Sequence, residues 1–358
     1  MRFFTTLLFV FMSALIAKAY DFESNGIYYN ILSSTDKTVE VTYEGNKKYS
    51  GDIVIPTTVN LNGKELTVVA IGKSAFSRCP DLTSITFGDS IKTIGDEAFI
   101  QCKKLKNFTL GSKVNLIACS AFESCKSLTR IEIPGNVETI ELSAFSYCEN
   151  VTEIIIHNGV KNIGNSAFYN NKKITEFIIP ASVEKIGSSA IYGCDSLKFL
   201  TIEDSNKELF VVLSYPWSNQ NLDKFYIGRN IRENYTNWRE ITAKEIIIGR
   251  NVTKLNWTEC INLETITLLG TTPPASNEFT EGQYAIVKVN VPEEAIPAYQ
   301  ATEPWNKFWS LPTGINQAEV AEDEVEAVYS INGQRCSMSD NGVLILKMKS
   351  GKTVKVVK

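Results

Sequence analysis

The chain has 358 residues, 44% hydrophobic and 21% charged, which is enough apolar side chain for a continuous core and too much for wholesale disorder. Its 36 basic and 40 acidic side chains leave a net charge of −4, so no global basic field exists to hold nucleic acid. Only one histidine is present, His157, which removes most imidazole catalysis and His-rich metal sites from consideration.

Met1-Arg2 is followed by an apolar run from Phe3 to Ile16 and then by Ala17-Lys18-Ala19. That order of charge, apolar run and small residues predicts a secretion signal over 1–19, cut near Ala19. The run is too short for a membrane span, and no later segment is long and apolar enough, so no transmembrane span is expected. The expected location is secreted or cell surface. Residues 20–68 then carry short β-branched or aromatic runs at Gly26–Leu32, Thr38–Tyr43, Gly51–Ile55 and Leu66–Ile71. Asn, Asp, Gly and Ser punctuate them, which predicts strands joined by turns and an N-terminal β cap.

From residue 69 one stretch recurs. Ile71-Gly72-Lys73-Ser74-Ala75-Phe76 opens it, Cys79, Leu82, Ile85 and Phe87 continue it, and the same order returns from Ile94, Ile117, Ile140, Ile163 and Ile186. The period is 23 residues, and a fixed period of that size predicts a solenoid. Leu82, Ile85 and Phe87 sit at relative positions 0, 3 and 5, so the last two share one face of a strand. Ala-Phe suits a short helical turn pressed against the neighbouring coil. One coil cannot bury these groups alone, whereas stacked coils can. After Ile202 the strand pattern persists at Leu222, Ala243 and Leu263, but the spacings become 25, 21 and 20 residues. This predicts about three degenerate repeats, so that the array spans 69–270 with six regular repeats to about 203.

The motif Ile-Gly-x-x-Ala-Phe-x-x-Cys-x-x-Leu-x-x-Ile-x-Ile resembles the BspA-like leucine-rich repeat family of cell-surface proteins. Ser50-Gly51-Asp52-Ile53-Val54-Ile55-Pro56 with Asn62-Gly63-Lys64 resembles that family's lead-in. The resemblance implies an α/β fold, a right-handed leucine-rich-repeat solenoid with a parallel sheet on its concave face and short helices or turns on the other side. It implies export, roles in adhesion or binding of host factors, no catalytic residues and no cofactor.

Thr271-Thr272-Pro273-Pro274 ends the repeats. Ile286 to Val291 reads as a strand, Pro292-Glu293-Glu294 opens a short helix, and Trp305, Phe308 and Trp309 are expected to cover the last coil, giving a C-terminal cap over 271–312. Residues 313–327 read as an acidic linker. Residues 328–358 return to strands at Val328–Asn332, Gly342–Met348 and Thr353–Val357. This tail is similar to the C-terminal sorting domains of the type IX secretion system, though it is short; a plain structural hairpin is the other reading.

Eight cysteines are present. Cys79, Cys102, Cys125, Cys148 and Cys194 share one repeat position, with Asn171 in the fifth repeat. In-register side chains point in parallel, so buried reduced thiols are expected rather than disulfides, and no close Cys-x2-Cys pair calls for zinc. Cys119 and Cys336 lie outside this ladder and are the candidate exposed thiols. The informative surface is the outward strand face. One column runs Ser84, Asn107, Arg130, Glu153, Glu176, Phe199, Lys224, Glu245; the next runs Thr86, Thr109, Glu132, Ile155, Ile178, Thr201, Tyr226, Ile247. Ile155, Ile178, Phe199, Tyr226 and Ile247 stand where solvent should be, rimmed by Glu132, Glu153, Glu176 and Glu245. That pattern predicts a surface for an extracellular or host protein, with neither metal nor cofactor, and no enzyme. The alternative is glycan binding through Tyr215, Trp217, Tyr226, Tyr235, Trp238 and Trp257.

Overall fold

Two short runs in each repeat lie extended, and each pairs in register with the same run of the next coil. The computed structural model describes residues 20–45, 48–212, 221–233, 242–255, 260, 262–310, 325–330, 335, 337, 343–348 and 353–357. It is a parallel β-solenoid of about nine turns with few helices. The predicted signal segment 1–19 and most of the acidic stretch 313–327 lie outside the described residues.

The outward-face strands are Ser50–Val54, Asp81–Thr86, Asn107–Thr109, Arg130–Ile133, Glu153–Ile156, Glu176–Ile179, Phe199–Ile202, Asn221–Ile227, Thr242–Ile248, Thr265–Leu268 and Lys288–Asn290. Alternation places Ile131 and Ile133, or Phe177 and Ile179, wholly inside and their neighbours outside. The ladder of bonds along this face breaks twice, between Asn107–Thr109 and Arg130–Ile133 and again between Glu153–Ile156 and Glu176–Ile179. Beside each break one strand carries Phe, Phe108 or Phe177, at the inward position that Ile85, Ile131 and Ile154 hold elsewhere.

The second sheet is a continuous stack of two- and three-residue strands, from Lys64–Ile71 through Thr93–Ile94, Leu116–Ile117, Thr139–Ile140, Asn162–Ile163 and Lys185–Ile186 to Leu209–Val211 and Ile231–Glu233. At its start Phe22–Ser24, Ile27–Ser33 and Thr38–Thr42 pair antiparallel, and Thr38–Thr42 passes into the parallel stack through Lys64–Ile71. Thr58–Leu61 folds back on Lys64–Ile71 across Asn62-Gly63, both at positive φ, the backbone a tight hairpin requires.

The Ala-Phe segment is a turn, one of the two forms, short helices or turns, expected on that side. Two residues per coil take positive φ, four apart: Ser74 and Arg78, Glu97 and Gln101, Ser120 and Ser124, Ser143 and Tyr147, Ser166 and Asn170. Backbone N–H groups alternate in their use. Those of Ser74, Phe76 and Arg78 donate to Asp96, Ala98 and Ile100 of the next coil, while Ala75, Ser77 and Cys79 donate three residues back. With every second N–H committed to the neighbouring coil, helical bonding cannot propagate. The small Ala lets the coils approach. The Phe rings stack from Phe76 to Phe99, Phe122, Phe145 and Phe168, with centroids 4.8, 4.9, 5.1 and 5.6 Å apart and planes within 10°. All five are fully buried.

Beyond the repeats three short helices follow: α1 (Glu281–Ile286), α2 (Ile296–Gln300) and α3 (Lys307–Ser310). Helix α1 was not expected. Thr280 and Gln283 form its capping box, and the strand Lys288–Asn290 begins after it. Trp305 is fully buried, and its indole N–H donates to Pro274 O at 2.7 Å. Phe279, Tyr299 and Phe308 pack around it. The strands Val325–Ser330, Val343–Met348 and Thr353–Val357 form a separate three-stranded antiparallel sheet.

Candidate functional site

The outward positions line up as coil stacking demands. In register, Arg130 meets Glu153 and Glu132 meets Ile155; Glu176 meets Phe199 and Ile178 meets Thr201. Farther on, Phe199 meets Lys224, Thr201 meets Tyr226, Lys224 meets Glu245 and Tyr226 meets Ile247. The gap in the ladder separates Glu153 and Ile155 from Glu176 and Ile178. Val54, in the first strand of the face, is the most exposed apolar side chain on it, at 68%; in the middle coils the exposed ones are Phe199, at 44%, and Ile178, at 38%. Ile155, Tyr226 and Ile247 are half-buried between their neighbours.

Most charges on this face are answered within it. Arg130 bridges Glu132 and Glu153, each at 2.7 Å. His157 Nε2 lies 2.9 Å from the other oxygen of Glu132. His157 first, and then Arg130, holds the Glu132 carboxyl below the usual carboxylate range. Lys224 pairs with Glu245 at 3.0 Å. Tyr226 donates its hydroxyl to Asp204 at 2.6 Å, and burial together with that carboxylate pushes its pKa up to about 12. Glu176 is exposed and has no ion pair among the described residues.

A family model described as the BspA type leucine rich repeat region, in six copies, matches residues 69–198 and 163–283. The chain belongs to the BspA-type leucine-rich repeat family. No curated protein matches it. Among solved structures, a leucine-rich repeat protein from Bacteroides ovatus is 18% identical, with a TM-score of 0.43 over 76% of this chain and 91% of that one. A leucine rich cell surface protein from Faecalibacterium prausnitzii is 19% identical, with a TM-score of 0.39 over 77% of this chain and 96% of that one. The T. pallidum leucine rich repeat protein is 20% identical, with a TM-score of 0.36 over 66% and 87%.

The cysteines of this BspA-type array have a defined job. Four of the five ladder thiols donate to the Phe carbonyl of the preceding coil: Cys102 to Phe76 at 3.0 Å, Cys125 to Phe99 at 3.1 Å, Cys148 to Phe122 at 3.3 Å and Cys194 to Phe168 at 3.4 Å. Asn171 does the same toward Phe145 at 3.0 Å and adds a second bond to Phe168 at 2.8 Å. The position therefore demands a small buried donor, which is why Cys and Asn interchange there. All seven described cysteines are free thiols. Burial pushes Cys102, Cys148 and Cys194 up to about 12 and Cys260 to about 11, so none of these is a ready nucleophile.

Cys119 differs. It is half-buried, and its thiol donates to Glu141 Oε2 at 3.2 Å, with Asp96 close by. His157 faces Glu132 rather than any thiol. Of the rings offered for glycan stacking, Tyr226 is tied to Asp204; Tyr215, Trp217, Tyr235, Trp238 and Trp257 lie outside the described residues, as does Cys336. Sequence reasoning missed two features of this region: the thiol-to-carbonyl bonds, and the meeting of Asp96, Cys119 and Glu141. The second had a signal, since Asp96 and Cys119 are one 23-residue period apart.

Proposed function

We propose that this protein is an exported, surface-displayed scaffold that binds another protein through its outward strand face, without a catalytic step or cofactor. The observation that carries the reading is the adjacent exposure of Ile178 and Phe199 on a face whose other charges are mostly paired internally. Desolvating a large apolar pair, with Ile155, Tyr226 and Ile247 extending it and Glu132, Glu153, Glu176 and Glu245 around it, favours association. Membership of a family whose relatives include cell-surface proteins supports the location. So does the predicted signal ending near Ala19. Among the described residues no helix is long and apolar enough to cross a membrane. Adhesion to an extracellular or host protein is the specific role proposed.

The test is capture of surface and extracellular-matrix components, with Ile178→Asp combined with Phe199→Asp as the probe. The double variant should keep its melting temperature and lose the captured partner. Capture that survives in a folded double variant sinks the reading.

A further inference from the structure

One side-chain cluster on the turn side of the solenoid is independent of the strand face. Asp96, Cys119 and Glu141 come from three successive coils, and their ligand atoms all lie within 4.8 Å of one another. All three side chains are half-buried. The Cys119 thiol donates to Glu141, but no lysine or arginine pairs with either carboxylate, and the Asp96 carboxylate has no hydrogen bond or ion pair among the described residues.

Elsewhere on the surface several carboxylates are paired with a lysine of the neighbouring coil. Asp81 is answered by Lys104, Glu149 by Lys126, Glu138 by Lys161 and Glu184 by Lys207, each one period away. Here two carboxylates converge with a thiol and no protein cation is supplied. Two like charges held this close in a half-buried site repel unless a positive charge sits between them.

Glu141 also occupies a backbone column reserved for glycine. Gly72, Gly95, Gly164 and Gly187 hold the same repeat position, and a Cβ there would come within 2.8 Å or less of backbone in the coil before. Ala118 and Glu141 are the two departures. They fall in two of the three coils that build the cluster.

We propose that Asp96, Cys119 and Glu141 form a site for one divalent zinc-like cation, with a thiolate and two carboxylates as its protein ligands. A thiolate selects zinc over calcium or magnesium, and the carboxylates complete a set of three that leaves a fourth position for water. The open side gives onto a concavity of about 530 Å³ lined by Cys119, Glu141, Leu142, Asn165 and Lys185. Binding replaces the Cys119 S–H bond by a sulfur–metal bond and releases one proton to solvent. The other thiols of the repeat ladder are buried and already engaged with carbonyl groups, so they do not compete.

The experiment titrates Zn²⁺, and separately Co²⁺ and Ca²⁺, into the chelator-treated full chain. One Zn²⁺ per chain should bind, and Co²⁺ should develop the charge-transfer absorption of a cobalt–thiolate bond. Cys119→Ser should abolish that absorption, and Asp96→Asn and Glu141→Gln should each weaken Zn²⁺ binding about tenfold or more. Cys336→Ser should change neither. Ca²⁺ should give no saturable binding. No stoichiometric Zn²⁺ binding overturns the assignment. So does Zn²⁺ binding that persists unchanged in folded Cys119→Ser or Asp96→Asn.

Discussion

The six regular coils and the coils after residue 203 solve the same stacking problem by different means. In the regular coils the interfaces are near copies: a Phe on a Phe, with Ile191 in place of the ring in the sixth coil, a thiol or amide on a carbonyl, three forward N–H bonds from the turn. After residue 203 the Ala-Phe sequence is lost, and among the described residues individual polar side chains also tie coils together. Arg229 is wholly buried, and its guanidinium reaches back two coils to the carbonyls of Pro180, Ala181 and Val183 at 2.8–3.0 Å. Asn230 Oδ1 accepts from the backbone of Thr253 at 2.8 Å and Lys254 at 3.1 Å. Repetition makes interfaces interchangeable, and its loss requires side chains that each recognise one place. Stability in the first region is therefore a sum of like terms between neighbours, whereas in the second it concentrates in a few residues.

That contrast can be broken most forcefully at the ring stack. Phe122→Ala should lower stability by about 3–5 kcal/mol, read by urea unfolding, because stacked coils on both sides prevent the cavity from closing. Arg229→Met should cost roughly 1–3 kcal/mol by leaving carbonyls without donors. Its signature is the location of the loss: amide exchange should quicken at 180–183 and in the later coils, and leave 71–140 protected. A uniform loss of protection would mean that the two regions are not distinct. Asn171→Cys should be milder, about 1 kcal/mol, since a thiol can serve only one of the two Phe carbonyls.

High pH separates the regions in another way. The folded chain holds Cys102, Cys148 and Cys194 protonated up to about 12, against an ordinary 9.0. A raised folded pKa gives stability that is complete below pH 9 and declines as pH climbs toward 12, at about 1 kcal/mol per thiol for the first unit. Thermal melts across that range should show the decline, and replacing the ladder thiols by Asn should flatten it. Arg130→Ala marks the small end: its pairs with Glu132 and Glu153 are half-exposed and screened by solvent, so the melting temperature should barely move.

How far the sequence could be read follows the same division. The period, the strand residues Leu82, Ile85 and their copies, the buried Ala-Phe and the outward columns were legible because repetition fixes spacing and alternation fixes faces. Whether Ala-Phe lies in a turn or a short helix was left open, because Ser and Glu at positive φ carry no compositional warning of the kind Gly or Asn-Gly gives. The thiol donors were read as plain hydrophobes, although the Asn171 substitution hinted at polarity. Arg229 was illegible, since its partners lie two coils back, 46 to 49 residues away, and nothing at their own positions marks them. Helix α1 had its signal in Thr280 and Gln283, which went unused.

The alternating N–H groups of the turn have one more consequence. In the turn the N–H bonds of Ser74, Phe76 and Arg78 run toward the next coil, whereas in the short-strand stack those of Lys92 and Gly95 run back toward Val69 and Ile71. The peptide dipoles of the two sides therefore oppose each other along the solenoid axis. A stack built this way gathers little field at its ends however many coils it adds, unlike an α-helix, whose dipoles all point one way. Its ends call for shape and apolar cover more than for countercharge, and Trp305, Tyr299 and Phe308 at the far end supply that cover.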